Sequence, residues 1–145
     1  MNSKNPGRAV IQTFQPDHYA IRHACEQDYR AFYDQEIRFR KLLQYPPFTA
    51  LANLIVARRD EEDAARQARA LAAEIRRLGG DHVRVTGPAP APLARLRGLF
   101  RFQVLLKARA RGRLQSVLRE ALQAHAAQRH SERHLTVDMD PVSLL

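Results

Sequence analysis

Residues 51–80 read LANLIVARRDEEDAARQARALAAEIRRLGG and decide the fold, because they join a strand to a helix within one short stretch. The apolar run belongs to a predicted strand, Thr49–Arg58. Asp60 and the three acidic residues after it are typical of a helix N-terminus, where the helix dipole favours negative charge. Gly79 and Gly80 end the predicted helix, because glycine tolerates the left-handed cap conformation. Apolar residues form one face of the predicted helix between Asp60 and Gly79: Ala64, Ala68, Leu71, Ile75 and Leu78.

Downstream, the pattern predicts two strands, a helix and a last strand. Val83–Thr86 is a short predicted strand, and Gly87–Pro92 is interpreted as a turn, because proline cannot donate within a central strand. Phe100–Lys107 alternates as a strand does, a helix is predicted from Arg111 to about Gln128, and Leu135–Met139 forms the last strand. This order predicts an α+β, ferredoxin-like split βαβ fold, in which two helices cover one face of a four-stranded antiparallel sheet and the other face is open to a partner.

The upstream residues predict a strand at Arg8–Phe14 and helices at His18–Gln27 and Tyr29–Leu43. The segment Tyr45-Pro46-Pro47-Phe48 then stops the second helix, because a residue before proline avoids the helical region. We therefore expect two parts, residues 1–45 and residues 46–145.

The positive charge is concentrated in one part of the chain. The 145 residues include 24 basic and 15 acidic side chains, a net charge of +9. No acidic residue occurs between Asp81 and Glu120, an interval that holds nine basic residues, so the remaining 15 basic residues equal the acidic ones in number. This acid-free run favours an anionic partner, with nucleic acid first, although a merely solvated basic face is the alternative.

Five residues of the acid-free run are candidate DNA contacts, because a phosphate backbone needs cations arrayed along a groove. They are Arg95, Arg97 and Arg101, in a predicted loop entering a strand, and Lys107 and Arg109 further along. Phe100 or Phe102 could stack a base. Both occupy the side of the strand expected to be buried, so core packing is the interpretation that we favour.

Motifs for catalysis or metal binding are not found. There is no glycine-rich phosphate loop with a following lysine, and no histidine pair has the His-Glu-x-x-His spacing, so we expect neither nucleotide nor zinc binding by this stretch. Cys25 is the only cysteine, which excludes an intrachain disulfide and suits a reducing cytoplasm. Asp138 and Asp140 would share a sheet face and could form an acidic site, but charge compensation of nearby arginines is the favoured interpretation.

Arg111 and Gln115 lie one turn apart at the start of the second helix of the domain. An arginine and an amide near a helix N-terminus suit a carboxylate, through charge, hydrogen bonds and the helix dipole. Such pairs are also common on solvated helices.

Several strings, in this order, resemble the PriA family of primosomal replication-restart helicases. They are PGRAVIQT (residues 6–13), the pattern Tyr29, Phe32, Tyr33, Glu36 and Arg40 followed by YPPF (45–48), GPAPAP (87–92), RLRG (95–98) and VDMDP (137–141). The resemblance covers nearly the whole chain after Asn5.

The resemblance implies a parent protein that unwinds DNA in the 3′ to 5′ direction with ATP and magnesium and reloads the replicative helicase at abandoned forks. Its nucleotide site and its zinc module lie outside the matched stretch, so this part of it is expected to be no enzyme and to need no cofactor. Residues 1–45 would then be the trailing end of the second helicase lobe. The last domain would bind forked or single-stranded DNA and, with other primosome proteins as further partners, the tail of single-stranded DNA-binding protein. The tail contacts of the family correspond to Arg111 and Gln115.

Two other classes of function remain open. The basic ferredoxin-like pattern also suits a stand-alone RNA- or ribosome-binding protein. An enzyme built on the same fold would use Asp138 and Asp140, but no catalytic base accompanies them in the sequence. With no apolar stretch long enough to span a membrane, we expect a cytoplasmic protein.

Overall fold

A computed structural model describes residues 7–127 and 134–141, and the chain divides into two compact units, residues 1–42 and residues 43–145. In the first unit, α1 spans Tyr19–Glu26 and α2 spans Tyr29–Leu42, which confirms both predicted helices. His18 caps α1 by accepting a hydrogen bond from the Ala20 amide at 3.3 Å. The ring of Tyr19 packs beside Phe39 across the helix pair, with ring centroids 5.3 Å apart.

A carboxylate joins the two helices of the first unit. The Tyr19 hydroxyl donates to Glu36, and Arg40 Nε donates to the same carboxylate at 2.6 Å. The two donors hold the pKa of Glu36 below its usual value, with the Tyr19 hydrogen bond as the larger cause.

The predicted strand at Arg8–Phe14 is wrong. Residues 8–14 pair with no strand in the part of the chain that the structure describes, and the side chains of Val10 and Phe14 are exposed. A single strand leaves its backbone groups without a ladder, so alternating β-branched residues alone do not make one.

The second unit contains the sheet. Its elements are β1 (Ala50–Arg58), α3 (Glu61–Gly79), a 3₁₀ turn (Gly80–His82), β2 (Val83–Leu96), β3 (Leu99–Ala108), α4 (Arg111–Ala127) and β4 (Leu135–Met139). The strand order is β2-β3-β1-β4, and every neighbouring pair is antiparallel. This is the ferredoxin-like order, so the predicted fold class is confirmed. The expected end of α4 at Gln128 lies outside the described residues.

The core lies between the sheet and its two helices. The inward residues of β1 and β3 are fully buried and pack on the stripes of α3 and α4: Leu54, Val56, Val104, Leu106, Leu71, Ile75, Leu114 and Leu118. The opposite face is less open than expected, since Leu51, Asn53 and Ile55 of the central strand are also buried. Gln103 Nε2 donates to Asn53 Oδ1 at 3.0 Å on that face.

The turn interpretation of Gly87–Pro92 is also wrong. This segment belongs to β2, which continues to Leu96 with two register shifts, between Thr86 and Ala89 and between Pro90 and Arg95. Because β2 is an edge strand, only one side of it is paired, and proline is tolerated where no amide is needed. Gly87 has a φ of 94°, and a Cβ there would lie 2.8 Å from the Gln103 carbonyl oxygen.

Candidate nucleic-acid interface

The β2–β3 connection is a tight hairpin and not the loop expected at Arg95–Arg101. Arg95 and Leu96 are the last residues of β2, and Leu96 pairs with Leu99. Only Arg97 and Gly98 form the turn, with φ of 51° and 77°. Two consecutive positive φ values are typical of a type I′ hairpin turn, which matches the twist of the strands. Arg97 is exposed at this turn.

Arg95 lies on an aromatic ring. It is the cross-strand partner of Phe100, and its Cζ lies 4.9 Å from the centroid of that ring. Phe100 is half-buried at the rim of the sheet, whereas Phe102 packs against the core. Neither ring is fully buried as expected. Phe102 comes closer to the expected core packing than Phe100 does.

Arg101 faces the side of β3 opposite Phe100, because successive side chains alternate. Its Nη1 donates to the Leu93 carbonyl at 3.1 Å, within the irregular part of β2. Part of its donor capacity thus stabilises the strand.

Lys107 and Arg109 lie near the other end of β3. Lys107 Nζ lies 3.9 Å from the centroid of the Tyr45 ring and 3.5 Å from the Leu43 carbonyl oxygen. Arg109 is exposed just after the strand. Arg101 and Lys107 are six positions apart on the strand, about 20 Å. The five candidate DNA contacts therefore form two groups and no single cluster.

Arg111 is bound within the domain. Its Nη2 lies 2.8 Å from Asp140 Oδ2, while Asp140 Oδ1 accepts the Leu51 amide at 2.8 Å. Asp140 follows β4 with a φ of 49°, so it does not share a strand face with Asp138. Charge compensation is thus confirmed for Asp140. Gln115 is exposed one turn further along α4.

A buried arginine escaped the sequence analysis. Arg58 is 9% exposed at the end of β1, where its Nη1 donates to the Ala57 carbonyl at 2.7 Å and its Nη2 donates to Gln67. Burial lowers the pKa of Arg58, and the nearby Asp63 opposes this shift. No local sequence pattern marks Arg58. In the sheet, Arg58 of β1 and Arg95 of β2 are both cross-strand partners of Phe100, one on each side.

Among residues 7–127 and 134–141, no group of three or more His, Cys, Asp or Glu side chains is placed to hold a metal ion. His130 lies outside these ranges. No helix in the described part of the chain is long and apolar enough to cross a membrane.

Comparison with known proteins gives consistent matches. The family model of the primosomal protein N C-terminal domain matches residues 41–142. The chain is 29% identical over 144 residues to the replication restart protein PriA of Bacillus subtilis, covering 98% of this chain and 18% of that protein. It is 42% identical over 118 residues to a probable replication restart protein PriA of Deinococcus radiodurans, covering 79% and 13%. With the Treponema pallidum protein, identity is 36% over 142 residues, covering 96% and 21%. The chain thus spans about a fifth or less of the length of these relatives.

Proposed function

Because this chain belongs to the primosomal protein N C-terminal domain family, we propose that it is the DNA- and partner-binding domain of a replication restart protein. The observation that carries the proposal is the acid-free run, whose nine basic residues account for the whole net charge. Phosphate contacts by such residues supply affinity without sequence readout. Forked or single-stranded DNA is the proposed ligand.

The proposed DNA surface centres on the β2–β3 hairpin. Arg95 and Arg97, two positions apart near its tip, are exposed. Arg101 follows on β3, on the face opposite Arg95 and Phe100. Lys107 and Arg109 extend the positive surface toward the far end of β3. Phosphates of one duplex strand are spaced about 3.4 Å apart along the helix axis, so the roughly 20 Å between the two groups corresponds to about six nucleotides of duplex.

The second proposed ligand is the acidic tail of single-stranded DNA-binding protein. Arg111 and Gln115 both lie at the start of α4, where backbone amides and the helix dipole favour a carboxylate. Since Asp140 already contacts Arg111, the tail carboxylate would compete with an internal one.

The activity of the whole protein is a proposal as well. In the whole protein, upstream domains supply ATP and magnesium binding, a zinc module and 3′ to 5′ unwinding. Residues 1–45 are the end of the second helicase lobe. The second unit then needs no cofactor and catalyses no reaction of its own. Other primosome proteins are proposed partners, and action on replicating DNA implies a cytoplasmic location.

A titration tests this proposal against the alternative of a stand-alone RNA-binding protein. The chain is mixed with labelled forked DNA, blunt duplex DNA and an RNA hairpin of equal length at one salt concentration, because affinities at different salt are not comparable. Tightest binding to the fork is expected. A preference for RNA overturns the DNA proposal and supports the alternative.

A further inference from the structure

Arg95 and Phe100 form a cation–π pair near the tip of the β2–β3 hairpin. Arg95 is exposed, and its guanidinium lies on the Phe100 ring, 4.9 Å from the centroid. Because the two residues are cross-strand partners next to a two-residue turn, the backbone fixes their proximity. Because Arg95 is exposed, its guanidinium is accessible to solvent where it does not contact the ring.

Arg95 differs in this from three other arginines of the second unit. Arg101 donates to the Leu93 carbonyl, Arg113 to the Leu78 carbonyl, and Arg111 pairs with Asp140. Within the described ranges, no hydrogen bond or ion pair engages the Arg95 guanidinium, which contacts the ring of Phe100. The ring orders the side chain, so less rotamer entropy remains to be lost on binding.

We propose that Arg95, supported by Phe100, stacks an unpaired nucleic-acid base, an inference that rests on the proposed function and adds a base contact to it. A guanidinium is planar and stacks on bases as well as on aromatic rings. The resulting order is ring, guanidinium and base. The base must be unpaired and unstacked, since inside a duplex both of its faces are covered by neighbouring bases.

The neighbouring residue completes the site. Arg97 lies two positions from Arg95 at the apex of the turn, where it is exposed and free to contact the adjacent phosphate. Stacking tolerates any base, because every base has a π-face. The site would thus recognise single-stranded nucleic acid as a class and give little sequence preference.

The test separates stacking from charge. Binding of the chain to a fluorescent oligothymidine of about 15 nucleotides is compared with binding to an abasic strand of the same length and charge. In Arg95→Lys the positive charge remains and the planar group is lost. The matched control is Arg69→Lys, the same change at an exposed residue of α3 outside the acid-free run.

We expect the unmodified chain to prefer the oligothymidine over the abasic strand by about tenfold, as the loss of one stacked base predicts. Arg95→Lys should remove most of this preference with the salt dependence unchanged, and Arg69→Lys should retain it. Equal binding to both strands, or a preference that survives Arg95→Lys, overturns the stacking site and leaves the proposed DNA-binding function standing. Binding to neither strand overturns both.

Discussion

Arg111 and Asp140 form an ion pair of 2.8 Å between the start of α4 and the end of β4. Asp140 also accepts the Leu51 amide, and its own amide donates to the Leu51 carbonyl at 2.7 Å. The same carboxylate therefore closes the β1–β4 ladder and occupies the arginine proposed to receive a partner's carboxylate. The Asp140 side chain therefore both stabilises the sheet and contacts the arginine proposed to bind the tail.

This geometry predicts opposite effects for the two members of the pair. Asp140→Asn keeps an oxygen that can accept the Leu51 amide but removes the charge from Arg111, so we expect tighter binding of an acidic tail peptide, by roughly threefold. Arg111→Glu should weaken binding at least tenfold through charge reversal. Stability should fall by only about 0.2–1 kcal/mol in Asp140→Asn, because the Arg111 side chain is more than half exposed.

The peptide titration is performed with the full-length parent, in which the proposed upstream domains are present. Asp138→Asn is the matched control, because Asp138 is exposed on β4, opposite Asn53 in the register. Unchanged tail affinity in Arg111→Glu would show that Arg111 has no part in tail binding.

Replacing Gly87 or Gly112 by alanine should change the stability of the second unit in opposite directions. Gly87→Ala places a Cβ 2.8 Å from a backbone oxygen at a φ that alanine rarely adopts, so it should destabilise the second unit by about 1–3 kcal/mol. In Gly112→Ala the new Cβ meets nothing within 4 Å on α4, so stability should rise by up to about 0.5 kcal/mol. Urea unfolding measures both. Equal effects of the two substitutions would contradict the close approach of β2 and β3 at Gly87.

The carboxylate of Glu36 predicts a pH dependence in the first unit. The Tyr19 and Arg40 hydrogen bonds lower its pKa in the folded state, so its stabilising effect is complete above the unfolded pKa and is lost as pH falls through the folded pKa. Packing of α1 on α2 should therefore loosen below about pH 4. The effect is small, because the group is largely solvated.

NMR shifts of the Tyr19 ring, followed from neutral to acidic pH, check this expectation. The isosteric Glu36→Gln variant should show the loosened shifts at neutral pH and no further change on acidification. A titration in the unmodified chain that persists in Glu36→Gln would assign the transition to another group.

Local sequence patterns are sufficient to predict α3 and β3. The α3 stripe and the alternation in β3 predicted both elements, because each buries one face against the same core. The prediction of a turn at Gly87–Pro92 is wrong because prolines exclude only a central strand, and this segment lies in the edge strand β2. Whether a strand lies at the edge depends on the whole sheet, so a local pattern does not predict it.

The sequence indicates which basic residues belong to the candidate site, but not how their side chains are arranged. The charge count located the acid-free run, yet the contact of Arg95 with Phe100 depends on cross-strand register, and the pairing of Arg111 with Asp140 depends on two distant chain segments. The separation of the DNA candidates into two groups follows from the length of β3. None of these relationships has a local sequence signal.

The central claim is that the hairpin arginines bind a phosphate backbone, and the salt dependence of fork binding tests it most directly. Arg95, Arg97 and Arg101 are changed together to Ala, and a control variant changes Arg66, Arg69 and Arg77 of α3, which removes the same charge outside the acid-free run. Circular dichroism confirms that both variants are folded.

The slope of log affinity against log salt should become shallower by about two in the hairpin variant, at roughly 0.7–0.9 per lost phosphate contact, with weaker binding at every salt concentration. The control variant should keep a slope close to that of the unmodified chain. If the hairpin variant keeps the original slope, or both variants lose it equally, the β2–β3 hairpin is not the DNA-binding surface.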